Sequence, residues 1–161
     1  MFSGRLTHVA VQILDRLAGY RRARLPGVND DSSHGLPAHL RVGRRGEEDA
    51  YFYLRRRGYV MIARNYRSPH HRGELDLVGW DKDVLCFIEV KTRTSHDVKP
   101  AEAAVDLQKR KELWRVAREF LRHLPQACQW RFDIVAVYYD EVRPRQPSFE
   151  LFQNAFSVGY N

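Results

Sequence analysis

The chain is predicted to be α/β, an α-β-β-β-α-β core with a mixed sheet flanked by helices. Three observations predict it. Two segments of the main domain carry apolar residues at helical spacing, four shorter runs are rich in β-branched and aromatic residues, and their order lays helices on a sheet. A length of 161 residues suits one domain with an appendage and is enough to bury a core. Hydrophobic residues at 43% and charged residues at 29% argue against disorder throughout.

Residues 1–24 are read as an amphipathic helical extension, because Leu6, Val9, Ile13, Leu14 and Leu17 follow the spacing i, i+3, i+7, i+8, i+11. Such a helix packs on the main domain, or, given Arg5, Arg16, Arg21, Arg22 and Arg24, lies on a membrane surface, a nucleic acid or another protein. Residues 25–40 have linker composition, rich in Pro, Gly, Ser, Asn and Asp. The main domain is expected over 41–161. RVGRRGEEDAYFYLRRRGY reads as a helix closed by Gly58. YVMIARNYR and GELDLVGW read as strands, WDKDV as a tight turn, and VLCFIEVK as a central strand covered on both faces. TRTSHDVKP reads as a loop. The segment 101–124 carries a helical stripe at Leu113, Val116, Ala117, Phe120, Leu121 and Leu124, ended by Pro125. WRFDIVAVYY is a fourth strand, and the tail suggests one further short strand around 149–152.

Composition narrows the function. Lys and Arg number 27 against 20 Asp and Glu, a formal net charge of +7, which favours a polyanionic partner: nucleic acid or an anionic membrane surface. Two cysteines, Cys86 and Cys128, make no disulfide framework, and no C-x-x-C spacing offers a zinc site. A reduced, cytoplasmic setting is expected. No run approaches 18 uninterrupted apolar residues, and Gln12, Asp15 and Arg16 interrupt any secretory h-region.

Charged residues that break the strand pattern mark the candidate chemistry. Glu89 and Lys91 lie at i and i+2, so they share one face of the central strand. Alone, such a pair reads as a structural ion pair. Asp76 changes the reading. A hairpin centred near Asp81 to Asp83 sets Asp76 roughly opposite Glu89, and two opposed carboxylates repel unless a cation lies between them. Oxygen ligands of this kind suit Mg²⁺ or Mn²⁺, with the backbone carbonyl of Val90 as a candidate further ligand. Glu47 shares a helix face with Ala50, Tyr51 and Leu54, which must pack inward; complementing the helix dipole is the alternative, and Glu48 and Asp49 suit that role better.

GRRGEEDAYFYLRRRGY, ARNYR, GELDLV, FIEVKTR and RFDIVAVY, in that order, resemble the YraN family of small bacterial proteins, with NAF at Asn154 to Phe156 also matching. The resemblance runs from Val42 to Tyr138. That family is similar to archaeal Holliday junction resolvases and the wider PD-(D/E)xK nucleases, which implies a restriction-endonuclease-like fold. By matching motifs, Asp76 stands at the metal-binding aspartate, Glu89 at the (D/E), Lys91 at the lysine and Glu47 at the helix glutamate of the resolvase-like branch. The proline of the "PD" pair is replaced by Leu75. Lys109 matches a recurring basic position and is read as a phosphate contact or as a lysine snorkelling at the core edge. Gln108 is a weaker candidate.

The resemblance implies a metal-dependent nuclease hydrolysing phosphodiester bonds in DNA, branched or flapped forms included. A non-catalytic nucleic-acid-binding module with the same fold is the alternative, and an interaction subunit recruited through the N-terminal helix is a third. Arg44, Arg45, Arg67, Arg72 and Arg93, with Lys109, are the expected nucleic-acid contacts, alongside Arg55, Arg56, Arg57 and Arg64, with a solvated helix end as the alternative for much of the RRR run. No base-reading motif is present, so structure- or end-selective binding is expected. Two-strand cutting needs two sites, which fits a homodimer. His70, His71 and His96 are read as solvent-facing, with a zinc site as the alternative. Asp133 is read as structural, paired with Arg131, and Tyr66, Trp80, Trp114 and Trp130 as core or edge aromatics.

Overall fold

The structure, a computed structural model, describes residues 37–93, 105–139 and 146–157. The expected N-terminal helix over 1–24, most of the linker, His96 and the residues 94–104 lie outside the described residues. The chain order is α1 (Ala38–Arg56), β1 (Val60–Arg67), β2 (Glu74–Asp81), β3 (Val84–Arg93), α2 (Leu107–Arg122), β4 (Gln129–Tyr138) and β5 (Ser148–Phe156). This is the expected α/β core with a fifth strand added. The sheet runs β1-β2-β3-β4-β5 and is mixed: β3 and β4 are parallel, and the other neighbours are antiparallel.

Side-chain alternation along β3 explains the layers. Leu85 and Phe87 join a core with Leu113, Val116, Ala117 and Phe120 of α2. Cys86 and Ile88 join the other core, with Ala50 and Leu54 of α1. The central strand is thus covered on both faces, as its nearly continuous apolar run requires. A parallel β3–β4 pair needs a crossover, and α2 supplies it.

Local chemistry sets the ends of the helices. At the end of α1, Gly58 takes a left-handed φ of 92°, and its N–H reaches Arg55 O while that of Tyr59 reaches Leu54 O. Two orphan carbonyls are satisfied, and the chain turns into β1. Asp106 Oδ1 accepts from the Lys109 N–H at 2.8 Å and starts α2 at Leu107, six residues into the segment 101–124. Helix α1 starts at Ala38, so three residues of the expected linker are helical, and Pro37 occupies the N-cap, where its missing N–H costs nothing.

At one end of the sheet a polar clasp ties three strands. Arg131 bonds Asp133 Oδ1 (2.8 Å), Asp81 Oδ2 (2.7 Å) and Tyr59 Oη (3.0 Å). Asp133 is fully buried and also accepts the Asn154 N–H at 2.9 Å, which bears out its structural reading. Asn154 has a left-handed φ of 51°, and the β4–β5 register shifts between Phe132 and Ile134. Strand β5 runs from Ser148 to Phe156, well beyond 149–152, because it is an edge strand whose half-exposed residues dilute the apolar alternation.

Helix α1 approaches β3 through a glycine. A Cβ on Gly46 would land on Thr92 Oγ1 and crowd Thr92 Cβ at 3.1 Å. Helix propensity alone would make Gly46→Ala stabilising by about 1 kcal/mol. Overpacking costs about 1–3 kcal/mol and should win. Gly46→Ala is therefore expected to lower Tm, with partial recovery in a Gly46→Ala/Thr92→Ala double variant; an unchanged or higher Tm would mean that α1 stands off from β3.

Candidate functional site

The site forms where β2 and β3 part. Their ladder runs in register from Asp81↔Val84 to Leu77↔Ile88. The two-residue turn at Lys82 and Asp83, with Lys82 at φ 54°, fixes that register as the sequence suggested. Beyond Leu77, Asp76 replaces a ladder partner with its side chain: Oδ2 accepts the Val90 N–H at 2.7 Å. In a strand a residue's N–H and C=O point to the same side. The Val90 carbonyl therefore faces the same opened seam.

Glu89 and Lys91 emerge together on the α2 side of β3. Lys91 Nζ lies 2.8 Å from Glu89 Oε1, and Lys109 Nζ, one turn before buried Leu113, lies 3.5 Å from the same oxygen. Asp76 and Glu89 are 8% and 5% exposed. Two carboxylates this deep are costly unless each oxygen finds a donor or a cation. Glu89 Oε2 is buried and has no hydrogen-bond partner. Burial foremost, and then the Glu89 charge, pushes the Asp76 carboxyl up to about 8, against the opposing pull of the Val90 N–H.

Glu47 approaches from α1 and lies mid-helix, nine residues past its start, so a role at the helix N-terminus does not apply. Burial raises its pKa, offset in part by Asn65 and by Arg64 and Arg44. Asn65, with its amide oriented to suit its neighbours, donates to Glu47 Oε2 at 3.0 Å and to the Asp76 backbone oxygen at 3.3 Å. Asn65 thus links the two acids. It lies within ARNYR but drew no functional reading. The signal was an asparagine inside a strand, and it holds a left-handed φ of 48° that asparagine tolerates.

The expected basic residues divide. Lys109, Arg44 and Arg64 act on the acids. Arg45 lies 3.7 Å from Asp49 and over the Tyr139 ring, while Arg67 bonds Glu74 Oε2 at 2.7 Å. Arg72 is exposed on the β1–β2 loop, and Arg93 ends β3 beside Tyr138. Arg55 and Arg57 stack on Tyr51 and Tyr53 near the far end of α1, as Arg56 lies about 13 Å of helix rise beyond Glu47. The RRR run is not brought to the acids. Gln108 bonds Glu112. His70 and His71 face Glu119 and do not flank Asp76. Tyr66 packs edge-on against Phe120, Trp80 is buried, and Trp130 packs against Phe87 and Phe132, in line with core or edge roles.

Among the described residues no group of three or more His, Cys, Asp or Glu side chains is spaced to enclose a metal ion. A cation at the seam would rely on two carboxylates, the Val90 carbonyl and water. The orphaned Glu89 Oε2 and the repulsion felt by Asp76 fit that donor set, which is the oxygen-only kind that Mg²⁺ and Mn²⁺ accept.

Comparison with known proteins gives concordant relationships. The family described as "Uncharacterised protein family UPF0102" matches residues 46–137. A UPF0102 protein of Koribacter versatilis is 49% identical over 150 residues, 93% of this chain and 94% of that one. One from Solibacter usitatus is 44% identical over 117 residues, 71% of this chain and 84% of its own, and one from Chlorobium limicola is 41% identical over 119 residues, 71% and 91%.

The raised Asp76 pKa sets a pH dependence. An unfolded Asp ionises near 3.8 and the folded one near 8, so between them the folded state holds the extra proton. This contribution to stability is complete below about 3.8 and is lost as pH rises through about 8. In chelator, the Tm of the wild type should fall across that window, and Asp76→Asn should flatten the fall. A parallel fall in both proteins would count against a buried, strained Asp76.

Proposed function

The chain belongs to the UPF0102 family, within the restriction-endonuclease-like superfamily, and from that premise we propose that it is a metal-dependent nuclease hydrolysing phosphodiester bonds in DNA. The observation that carries the reading is the buried pair Asp76 and Glu89 at the opening of β2 from β3, with Lys91 on the same strand face and one glutamate oxygen left without a partner. A structural ion pair would use that oxygen; a site built to take a cation leaves it open.

Asp76 Oδ, Glu89 Oε2 and the Val90 carbonyl are the groups that would hold Mg²⁺ or Mn²⁺. When bound, such an ion supplies Lewis-acid stabilisation at the scissile phosphate and acidifies an attacking water. Lys91 orients that water or offsets charge on the phosphoryl oxygens, and it does so next to the acids because strand alternation aims it there. Lys109 brings a second ammonium from α2 toward the same phosphate. Glu47, held by Asn65, would complete the shell through water on the α1 side and can accept a proton there, since its raised pKa makes it a better base than an exposed glutamate.

The net charge of +7 suits a polyanionic substrate. No base-reading motif is present, which favours selection by DNA structure, branched or flapped forms included. Two free cysteines fit a reducing cytoplasm, and among the described residues no helix is long and apolar enough to cross a membrane. A homodimer suits two-strand cutting. The second reading, a non-catalytic DNA-binding module, draws on one observation: two lysines already lie on Glu89 Oε1 and neutralise much of the charge a cation would seek.

Asp76→Ala, Glu89→Ala and Lys91→Ala should each lower Mn²⁺- or Mg²⁺-dependent cleavage of branched DNA by about 100-fold or more while keeping the wild-type circular dichroism. Equal cleavage by wild type and Asp76→Ala would point to a contaminating nuclease. Calorimetry separates the two readings, since heat of Mn²⁺ binding in the wild type that vanishes in Asp76→Ala supports the enzyme, and no heat in either favours the binding module.

A further inference from the structure

Helix α2 carries a second basic surface that the proposed chemistry does not use. Arg115, Arg118 and Arg122 recur at i, i+3 and i+7, so they share one exposed face, turned away from the buried Leu113, Val116 and Phe120. Between this face and the β1–β2 loop lies a cleft of about 320 Å³, lined by His71, Trp114, Arg115, Arg118, Glu119 and Arg122. One wall is tightly pinned. The Ser68 hydroxyl donates to Glu119 Oε2, and Ser68 Oγ accepts the N–H groups of His70 and His71 at 3.0 and 2.9 Å. His70 Nε2 and His71 Nε2 lie 3.9 and 3.7 Å from the Glu119 oxygens. Glu119 is 6% exposed and engaged by these groups. The guanidinium of Arg118 lies 4.6 Å over the Trp114 ring, which holds it in the wall.

We infer that this cleft anchors the phosphate backbone of a nucleic-acid strand at a distance from the reacting linkage. Among the described residues none of the three arginines is ion-paired, and planar guanidinium forks match phosphate oxygens better than any other side chain. Continuity along α2 sets the spacing. Lys109 touches Glu89, and a rise of 1.5 Å per residue puts Arg115 about 9 Å and Arg122 about 20 Å further along the helix axis. A duplex strand offers a phosphate roughly every 3.4 Å of its axis. A strand following α2 therefore meets the cleft about three to six nucleotides from the linkage at Asp76 and Glu89. The inference rests on the nucleic-acid half of the proposed function and not on its catalytic half.

The test uses the full chain and a labelled DNA duplex in chelator, with binding followed by anisotropy over a range of salt. An Arg115→Gln/Arg118→Gln/Arg122→Gln variant should bind about 10-fold or more weakly at low salt, with a log–log salt slope smaller by about 2 to 3. Its circular dichroism should match the wild type, because all three side chains are exposed. An Arg55→Gln/Arg56→Gln/Arg57→Gln variant removes the same charge from the far end of α1 and should lose much less. Equal losses in the two triple variants, or no loss in the first, overturn the anchor, as does a wild type that does not bind. Should the first variant lose binding while the wild type fails to cleave with Mg²⁺ or Mn²⁺, the anchor stands and the nuclease falls; if the wild type cleaves and the variant binds and cleaves equally well, the reverse holds.

Discussion

Two carboxylates buried at one seam of the sheet are the constraint around which the rest is arranged. Asp76 and Glu89 are nearly inaccessible, and proximity makes ionising both unfavourable. The protein tempers this with partners drawn from every neighbouring element. Strand β3 gives the Val90 N–H and the Lys91 ammonium, α2 gives Lys109, and β1 gives Asn65, which reaches the Asp76 backbone and Glu47. Even so, one oxygen of Glu89 is left over. A fold shaped by stability alone would replace such a pair with apolar residues of similar size at little or no cost. The pair makes physical sense as a place where an additional positive charge belongs.

Much of this was legible in the sequence because strand geometry is strict. A two-residue turn fixes the β2–β3 register, and register with alternation fixes which side chains meet. Asp76 and Glu89 could therefore be brought together on paper, and the stripe of α2 put Lys109 one turn from buried Leu113 on the inward side of the helix, where it meets Glu89. Helix-forming and strand-forming segments were equally plain, since each sheet face buries its own core.

What escaped the sequence depends on chain order differing from spatial order. The arginines of 55–57, counted among the basic contacts but also readable as a solvated helix end, are carried by the helix away from Glu47, and there Arg55 and Arg57 stack on Tyr51 and Tyr53. Arg67, expected on the substrate, is paired with Glu74 across the β1–β2 ladder, a neighbour only after folding, whereas the Arg45 pairing with Asp49 is an i,i+4 contact within α1. Asn65 could not be ranked because its role needs a left-handed backbone inside a strand. The start of α1 at Ala38 was hidden by the turn-like LPAHL composition around Pro37, a residue that opens helices as readily as it ends them. The arginine face of α2 drew no reading from the sequence; the loop holding Ser68, His70 and His71 against Glu119 turns that side into a concavity.

Strand β5 borders the sheet, and a flat rim of unsatisfied amides and carbonyls invites foreign strands to add on. The kink at Asn154, where the backbone turns left-handed and its N–H is drawn inward to Asp133, interrupts that rim. Glu150 and Gln153 place polar side chains beside the interruption. The border is therefore a poor template for fibril-like growth, and sticking of one molecule to the next by continuous sheet extension is discouraged by the same buried aspartate that anchors the clasp.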